Sequence, residues 1–269
     1  MTDKMQVNLR QVAMEILYEV QKNNGLLHVV LSDALKKYQY LDKNERSFIS
    51  RLVQGTEERK IELDYIIDSF SKTPVKKQKD VIRIILEMSV YQLKYMDSVP
   101  ASAVCNEAVK LAVKKNFGTL RGFVNGVLRN IARNIDNIEY PDKSTNTDKY
   151  LSVKYSVPEE LVGFLLKEYS TDQLEQILQA GEQERGTTIR VNTMQTTTEK
   201  FRNILIEKGI KVEKGYYNQT SLIISGYDYI RTVPGFHEGL FTVQDESSSL
   251  QVLAAGIRSG DVILDVCAA

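Results

Sequence analysis

The chain has 269 residues, 42% hydrophobic and 26% charged, and its 35 Lys+Arg balance 35 Asp+Glu. That is the composition of a globular chain long enough for two domains or more, and a net charge of zero does not advertise a nucleic-acid binder. No apolar run reaches the length of a membrane span, Asp3 and its neighbours form no apolar signal segment, and two cysteines, Cys105 and Cys267, give no disulfide framework and no metal-ligand spacing. A monomer in the cytoplasm, with no metal and no membrane partner, is expected.

The zero average hides an asymmetry. Residues 1–140 carry 22 basic against 17 acidic side chains, and residues 141–269 carry 13 against 18. The front half is mildly basic.

In that half the apolar residues recur at helical spacing. The first helix runs from Val7 to about Lys22 on Leu9, Val12, Ala13, Ile16, Leu17 and Val20, and Asn23, Asn24 and Gly25 stop it. A second covers His28 to Tyr38. Asp42 with Glu45 three residues on predicts a capping box, opening a helix that carries Phe48, Ile49, Leu52 and Val53. Lys60 to Phe70 follows, then a basic linker, Lys72 to Lys79. Val81 to Met96 is the most apolar helix, the kind that sits at a bundle centre. Pro100 marks the start of Ala101 to Lys115, and Leu120 to Asn134 closes the series. Six or seven helices with short links predict an all-α bundle.

Lys110, Lys114, Lys115, Arg121, Arg129 and Arg133 fall in one stretch with no acidic residue between the first and the last. Lys110 and Lys114, and Arg129 and Arg133, are four apart and share helix faces. A phosphate backbone would be drawn to such a patch, and Asn125, Asn130 and Asn134 could add hydrogen bonds. A solvated or protein-facing helix surface is the competing reading.

Ile138 to Asp148 is polar, contains Pro141 and reads as a domain boundary. Helices over Glu159 to Lys167 and Thr171 to Ala180 follow. The period then changes. Thr187 to Asn192 alternates as a strand, Thr198 to Lys208 is helical and capped by Gly209, and Ile210 to Val212 and Ser221 to Ile224 are further strands. This is a small α+β module, of a kind whose open sheet face often carries RNA. Arg190 either reaches a phosphate or is a rim residue of its strand. Phe241 to Gln244 is an extended entry to a helix that opens at Asp245 or Glu246 and buries Leu250, Val252 and Leu253. After Gly260 the run Val262, Ile263, Leu264 reads as a buried parallel strand closed by Asp265, where a cofactor loop of a doubly wound α/β sheet would begin.

The run VQDESSSLQVLAAGIRSGDVILDVCAA (Val243 to Ala269) resembles the entry to the catalytic domain of bacterial ribosomal RNA cytosine-5 methyltransferases, which continues there with Pro-Gly-Gly-Lys. TTIRVNTMQTTTEKFRNILIEKGI (Thr187 to Ile210) resembles that family's preceding small domain, and the front half resembles the RNA-binding helical domain of the antitermination factor NusB. The resemblance covers the whole chain. It implies a NusB-like RNA-binding domain at 1–138, a small α+β subdomain at 149–240 and the start of a Rossmann-like methyltransferase domain, cut short, at 241–269.

It further implies methyl transfer from S-adenosyl-L-methionine to C5 of a cytidine in small-subunit (16S) ribosomal RNA. In the family a cysteine thiolate adds to C6 so that C5 can attack the methyl, and a second cysteine assists product release. Both cysteines are expected beyond residue 269, so no catalytic residue is assigned here and the chain by itself is expected to be inactive. By position in the motif, Asp265, Cys267, Ala268 and Ala269 would shape the loop around the cofactor. Small-residue packing for Cys267 and anchoring of the turn for Asp265 remain alternatives. Ribosomal RNA is the expected partner, with ribosomal or transcription proteins also open. The rival class is a non-catalytic RNA- or protein-binding NusB-type module in transcription or ribosome assembly, which would have no use for Val243 to Ala269.

Overall fold

The computed structural model describes residues 7–182, 186–227 and 229–266. The chain divides into two compact units, residues 1–182 and 183–269.

The first unit is helical. In order it contains α1 (Leu9–Asn23), α2 (Leu27–Lys37), α3 (Lys43–Glu58), α4 (Lys60–Phe70), α5 (Asp80–Tyr95), α6 (Ala101–Lys114), α7 (Arg121–Asn134), α8 (Thr147–Tyr155), α9 (Glu159–Leu165) and α10 (Thr171–Gly181). The local signals act as expected. Asn8 caps α1 by accepting from the Gln11 N–H, and Asn24 ends it in the left-handed conformation. Asp42 and Glu45 form the reciprocal capping box at 2.9 and 3.0 Å, which satisfies two N–H groups that a helix start leaves orphaned.

α5 is the central helix. Ile82, Ile84, Ile85, Leu86, Met88 and Val90 are all buried, and α1, α3, α4, α6 and α7 pack around it. Each such aliphatic side chain is worth roughly 1.5–3 kcal/mol when removed from water. Close approach of α3 to α5 depends on Gly55, because a Cβ there would stand 2.0 Å from Cζ of Tyr91.

The polar stretch expected to separate domains is tied down. The Tyr65 hydroxyl donates to the Glu139 carbonyl at 2.9 Å. The Tyr140 and Tyr95 hydroxyls donate to the two oxygens of buried Glu62, and Lys94 lies 3.2 Å from the same carboxylate. Burial and the Glu62 charge push both tyrosine pKa values up, so the phenols stay donors. Further on, Glu175 of α10 takes Lys143 at 2.6 Å and Lys154 at 2.9 Å. These two hydrogen bonds, Lys143 first, hold the Glu175 carboxyl at about 2. α8 therefore starts inside the segment that composition reads as linker. Its apolar residues Leu151 and Val153 are buried with Val162 and Leu174 close by in the same unit.

The second unit is a small α+β module, as expected. Strands β1 (Thr187–Val191), β2 (Lys211–Lys214), β3 (Ser221–Ser225) and β4 (Phe241–Val243) form one antiparallel sheet in the order β2-β3-β1-β4. Ile189, Val191, Leu222, Ile224 and Phe241 alternate onto one face and pack with Phe201 and Leu205 of α11 (Thr198–Glu207). The extended entry at Phe241 is thus the fourth strand of this sheet, paired residue for residue with β1 at Ile189↔Val243 and Val191↔Phe241.

Two expectations fail in the last stretch. α12 (Glu246–Ala254) opens where expected, yet it buries Ser249, while Val252 and Leu253 are exposed. The run Val262, Ile263, Leu264 is not a buried strand. It pairs with no strand among the described residues, and Val262 is 100% exposed. A parallel strand needs a ladder partner for its backbone and cover on both faces, and the described residues supply neither. The described residues therefore do not show the start of a doubly wound sheet.

Candidate nucleic-acid interface

α6 and α7 pack against each other because their apolar residues face inward: Val104, Ala108, Leu111 and Ala112 on α6, and Val124, Val127, Leu128 and Ile131 on α7. Helical periodicity then turns the polar residues outward. Lys110 and Lys114 are exposed on α6. Arg121, Arg129 and Arg133 are exposed on α7, at a spacing that puts them with Asn125 on one ridge.

A shallow groove of about 540 Å³ lies between these ridges, lined by Asn106, Val109, Lys110, Arg121, Gly122 and Asn125. Its floor is low because a Cβ added to Gly122, or to Gly126 one turn on, would meet nothing within 4 Å. Glycine inside a helix costs about 1 kcal/mol relative to alanine, and no packing contact here requires it. The open strip lets a partner come close to the helix backbone.

The six basic residues are not equivalent. Lys110 is paired to Glu107 at 2.7 Å and Lys115, half-buried, to Glu15 at 2.9 Å. Glu107 lies three residues before the acid-free stretch, and Glu15 comes from α1. Hydrogen bonding to Lys110 holds the Glu107 carboxyl below its ordinary range. For Glu15, partial burial works upward, and hydrogen bonds from Lys115 and Gln11 outweigh it. Among the described residues Lys114, Arg121, Arg129 and Arg133 carry no ion pair. The Arg129 Nε donates to Asn125 Oδ1 at 2.9 Å, which fixes the guanidinium with its outer N–H groups facing away. Asn134 bonds back to Asn130. Groove residues Asn106, Val109 and Gly122 escape a search based on charge, because their role is shape.

The other site candidates belong to the second unit. Arg190 on β1 is exposed, points away from the α11 side of its sheet, and donates to Gln244 at 2.6 Å. Asp265 lies in the irregular run after Gly260, and Cys267, Ala268 and Ala269 fall outside the described residues. Cys105 is buried on α6, where burial raises its thiol pKa against the opposing pull of Arg129. Among the described residues no cluster of side chains could hold a metal, and no helix is long and apolar enough to cross a membrane.

Comparison with known proteins agrees with this architecture. Residues 7–133 match the NusB family, and residues 157–228 match the ferredoxin-like domain of RsmF/B-like methyltransferases. A probable ribosomal RNA small subunit methyltransferase B of Bacillus subtilis is 32% identical over 266 residues, covering 97% of this chain and 58% of that protein. The ribosomal RNA small subunit methyltransferase B of Serratia proteamaculans is 29% identical, covering 99% and 59%. The chain thus spans under two thirds of the length of these relatives. A solved structure, the crystal structure of PH0851, shares the fold with a TM-score of 0.65 at 19% identity, over 94% of this chain and 56% of that one. The chain is therefore RsmB-like: a NusB-family domain followed by an RsmF/B ferredoxin-like domain, homologous to the N-terminal part of ribosomal RNA small subunit methyltransferase B over about 58% of its length.

Proposed function

We propose that this chain is the RNA-recognition part of an enzyme that methylates C5 of a cytidine in 16S ribosomal RNA with S-adenosyl-L-methionine. The α6–α7 face grips the RNA backbone in this reading. The observation that carries it is the convergence of Lys110 and Arg121 on one open groove, flanked by Lys114, Arg129 and Arg133, which make no ion pair among the described residues. Support for the reaction comes from the relatives' names and from similarity over nearly the whole chain.

Phosphate neutralisation is what such a surface does physically. Each arginine offers a planar fork of donors to two phosphate oxygens, and each contact releases condensed counterions. Sequence is not read this way. The face would hold and orient the RNA, and the cytidine would be selected elsewhere.

The described residues do not build a pocket for the cofactor. Asp265 stands between Leu264 and Val266, both 83% exposed, and exposed aliphatic residues make no wall for an adenosine ring. No step of methyl transfer is therefore derived from these residues. In the proposed whole enzyme, the catalytic cysteines and the cofactor loop belong to the part of the relatives' length that this chain does not span.

The test is genetic and chemical. Deleting the gene should abolish 5-methylation of one cytidine in 16S RNA, read by bisulfite sequencing, and the full-length gene should restore it. Identical methylation patterns with and without the gene would refute the assignment.

A further inference from the structure

The hairpin between β2 and β3 carries the sequence Lys214-Gly215-Tyr216-Tyr217-Asn218-Gln219-Thr220. A turn needs only small or polar residues, yet this one displays two adjacent tyrosines, 78% and 75% exposed. Their ring centroids are 6.4 Å apart with planes tilted at 53°, so the rings do not stack on each other and their faces stay open. Neither hydroxyl has a hydrogen-bond partner among the described residues.

The backbone beneath them is fixed by one carboxylate. Glu246, in the first turn of α12, accepts the N–H groups of Tyr216, Tyr217 and Asn218, each at 2.9 Å. Asn218 adds a bond from its amide to the Ser249 hydroxyl at 3.0 Å, and its oxygen accepts from the Thr220 N–H at 3.0 Å. Gly215 makes this possible, since a Cβ there would stand 2.5 Å from Glu246 Oε1. The tyrosines are thus held on a preorganised loop, which lowers the ordering cost of binding through them.

We infer that Tyr216 and Tyr217 form a base-stacking platform for single-stranded RNA. The surroundings favour this over a protein contact. Lys211 and Lys214 are exposed on the adjoining strand with Glu213 between them, Gln219 is exposed in the turn, and residues 211–220 include no exposed aliphatic side chain. A protein hot spot is instead an aromatic anchor inside a ring of contacts that exclude water. Base faces are available only in unpaired RNA, and aromatic rings beside cations are how proteins hold them. The inference rests on the proposed RNA reading and adds to it a second contact, made by residues outside the α6–α7 face.

The test compares affinities of the whole chain for a short unstructured oligoribonucleotide and for a blunt RNA duplex. Tyr216→Ala with Tyr217→Ala should weaken single-strand binding about tenfold or more. Duplex affinity should be unchanged, as should the salt dependence, because no charge is lost. The Tyr216→Phe, Tyr217→Phe pair should bind as the parent does. If the alanine pair keeps its single-strand affinity while charge reversal on α6–α7 lowers it, the platform is wrong and the basic face stands. If the parent binds neither RNA, both readings fall. A phenylalanine pair as weak as the alanine pair would assign the effect to the hydroxyls and overturn stacking. An alanine pair that binds RNA normally but sediments differently would show a protein contact instead.

Discussion

Ser156 caps α4 from far along the chain: its Oγ accepts the N–H of Ile61, 95 residues earlier, at 2.9 Å, and also the Glu62 N–H at 3.3 Å. The α4 start has no side-chain cap of its own, so this hydroxyl from the end of α8 supplies it. The geometry requires Ser156 to sit at a φ of 55°, a left-handed conformation that side chains rarely adopt. Ser156→Ala should cost about 1–2 kcal/mol of unfolding free energy. Ser156→Gly should cost less, because it relieves the backbone strain while losing the same bonds. Urea titration of both variants checks this. An unchanged midpoint for the alanine variant would mean that the bonds contribute nothing.

Reversing Lys114, Arg121, Arg129 and Arg133 to glutamate should weaken RNA binding most at low salt. If each contacts one phosphate, the slope of log affinity against log salt should become shallower by about 3–4. Reversing Lys115, already paired with Glu15, should do much less. Fluorescence anisotropy across a salt series measures both, and equal slopes for parent and variant would remove the backbone-contact role.

Asp64 makes stability depend on pH. Its Oδ1 is buried without a hydrogen-bond partner, and burial, reinforced by the charge of Glu87, pushes its carboxyl up to about 8. In the unfolded chain an aspartate ionises near 3.9. Between those values the folded state holds a proton that the unfolded state has released, so stability falls as pH rises. The contribution is complete below about pH 4 and gone above the folded pKa. Asp64→Asn has no proton to lose, and its curve should be flatter across that window. It should gain on the parent progressively as pH rises from about 4 to about 8. Parallel curves for parent and variant between pH 5 and pH 8 would show that Asp64 ionises normally.

Residues 1–269 alone should transfer no methyl group to 16S RNA, whereas the full-length protein should. Incorporation of labelled methyl from S-adenosyl-L-methionine is the measurement. Label in RNA treated with the 269-residue chain would place catalysis within it and overturn the proposed division of labour.

The helices of the first unit and the α+β character of the second follow from local rules. Apolar spacing, the Asp42–Glu45 box and the Asn24 stop act over a few residues, so the chain displays them directly. The polar segment Ile138–Asp148 lies between the two family matches, but that Tyr140 within it is held by Glu62, 78 residues away, leaves no trace in composition. The basic stretch was legible as charge, but Glu15 and Glu107, which neutralise part of it, became visible only through packing and helix-face geometry.

What the sequence by itself determined is therefore periodicity, caps, the alternation of β1 and β3, and the family resemblance of DVILDVCAA. Tertiary structure alone decided whether an apolar run is buried. Val262, Ile263 and Leu264 have the composition of a core strand, and the described residues include no neighbour that pairs their backbone or covers their faces. The same dependence on distant partners explains the groove between α6 and α7, the cap that Ser156 lends to α4, and the loop that Glu246 holds beneath two open tyrosine rings.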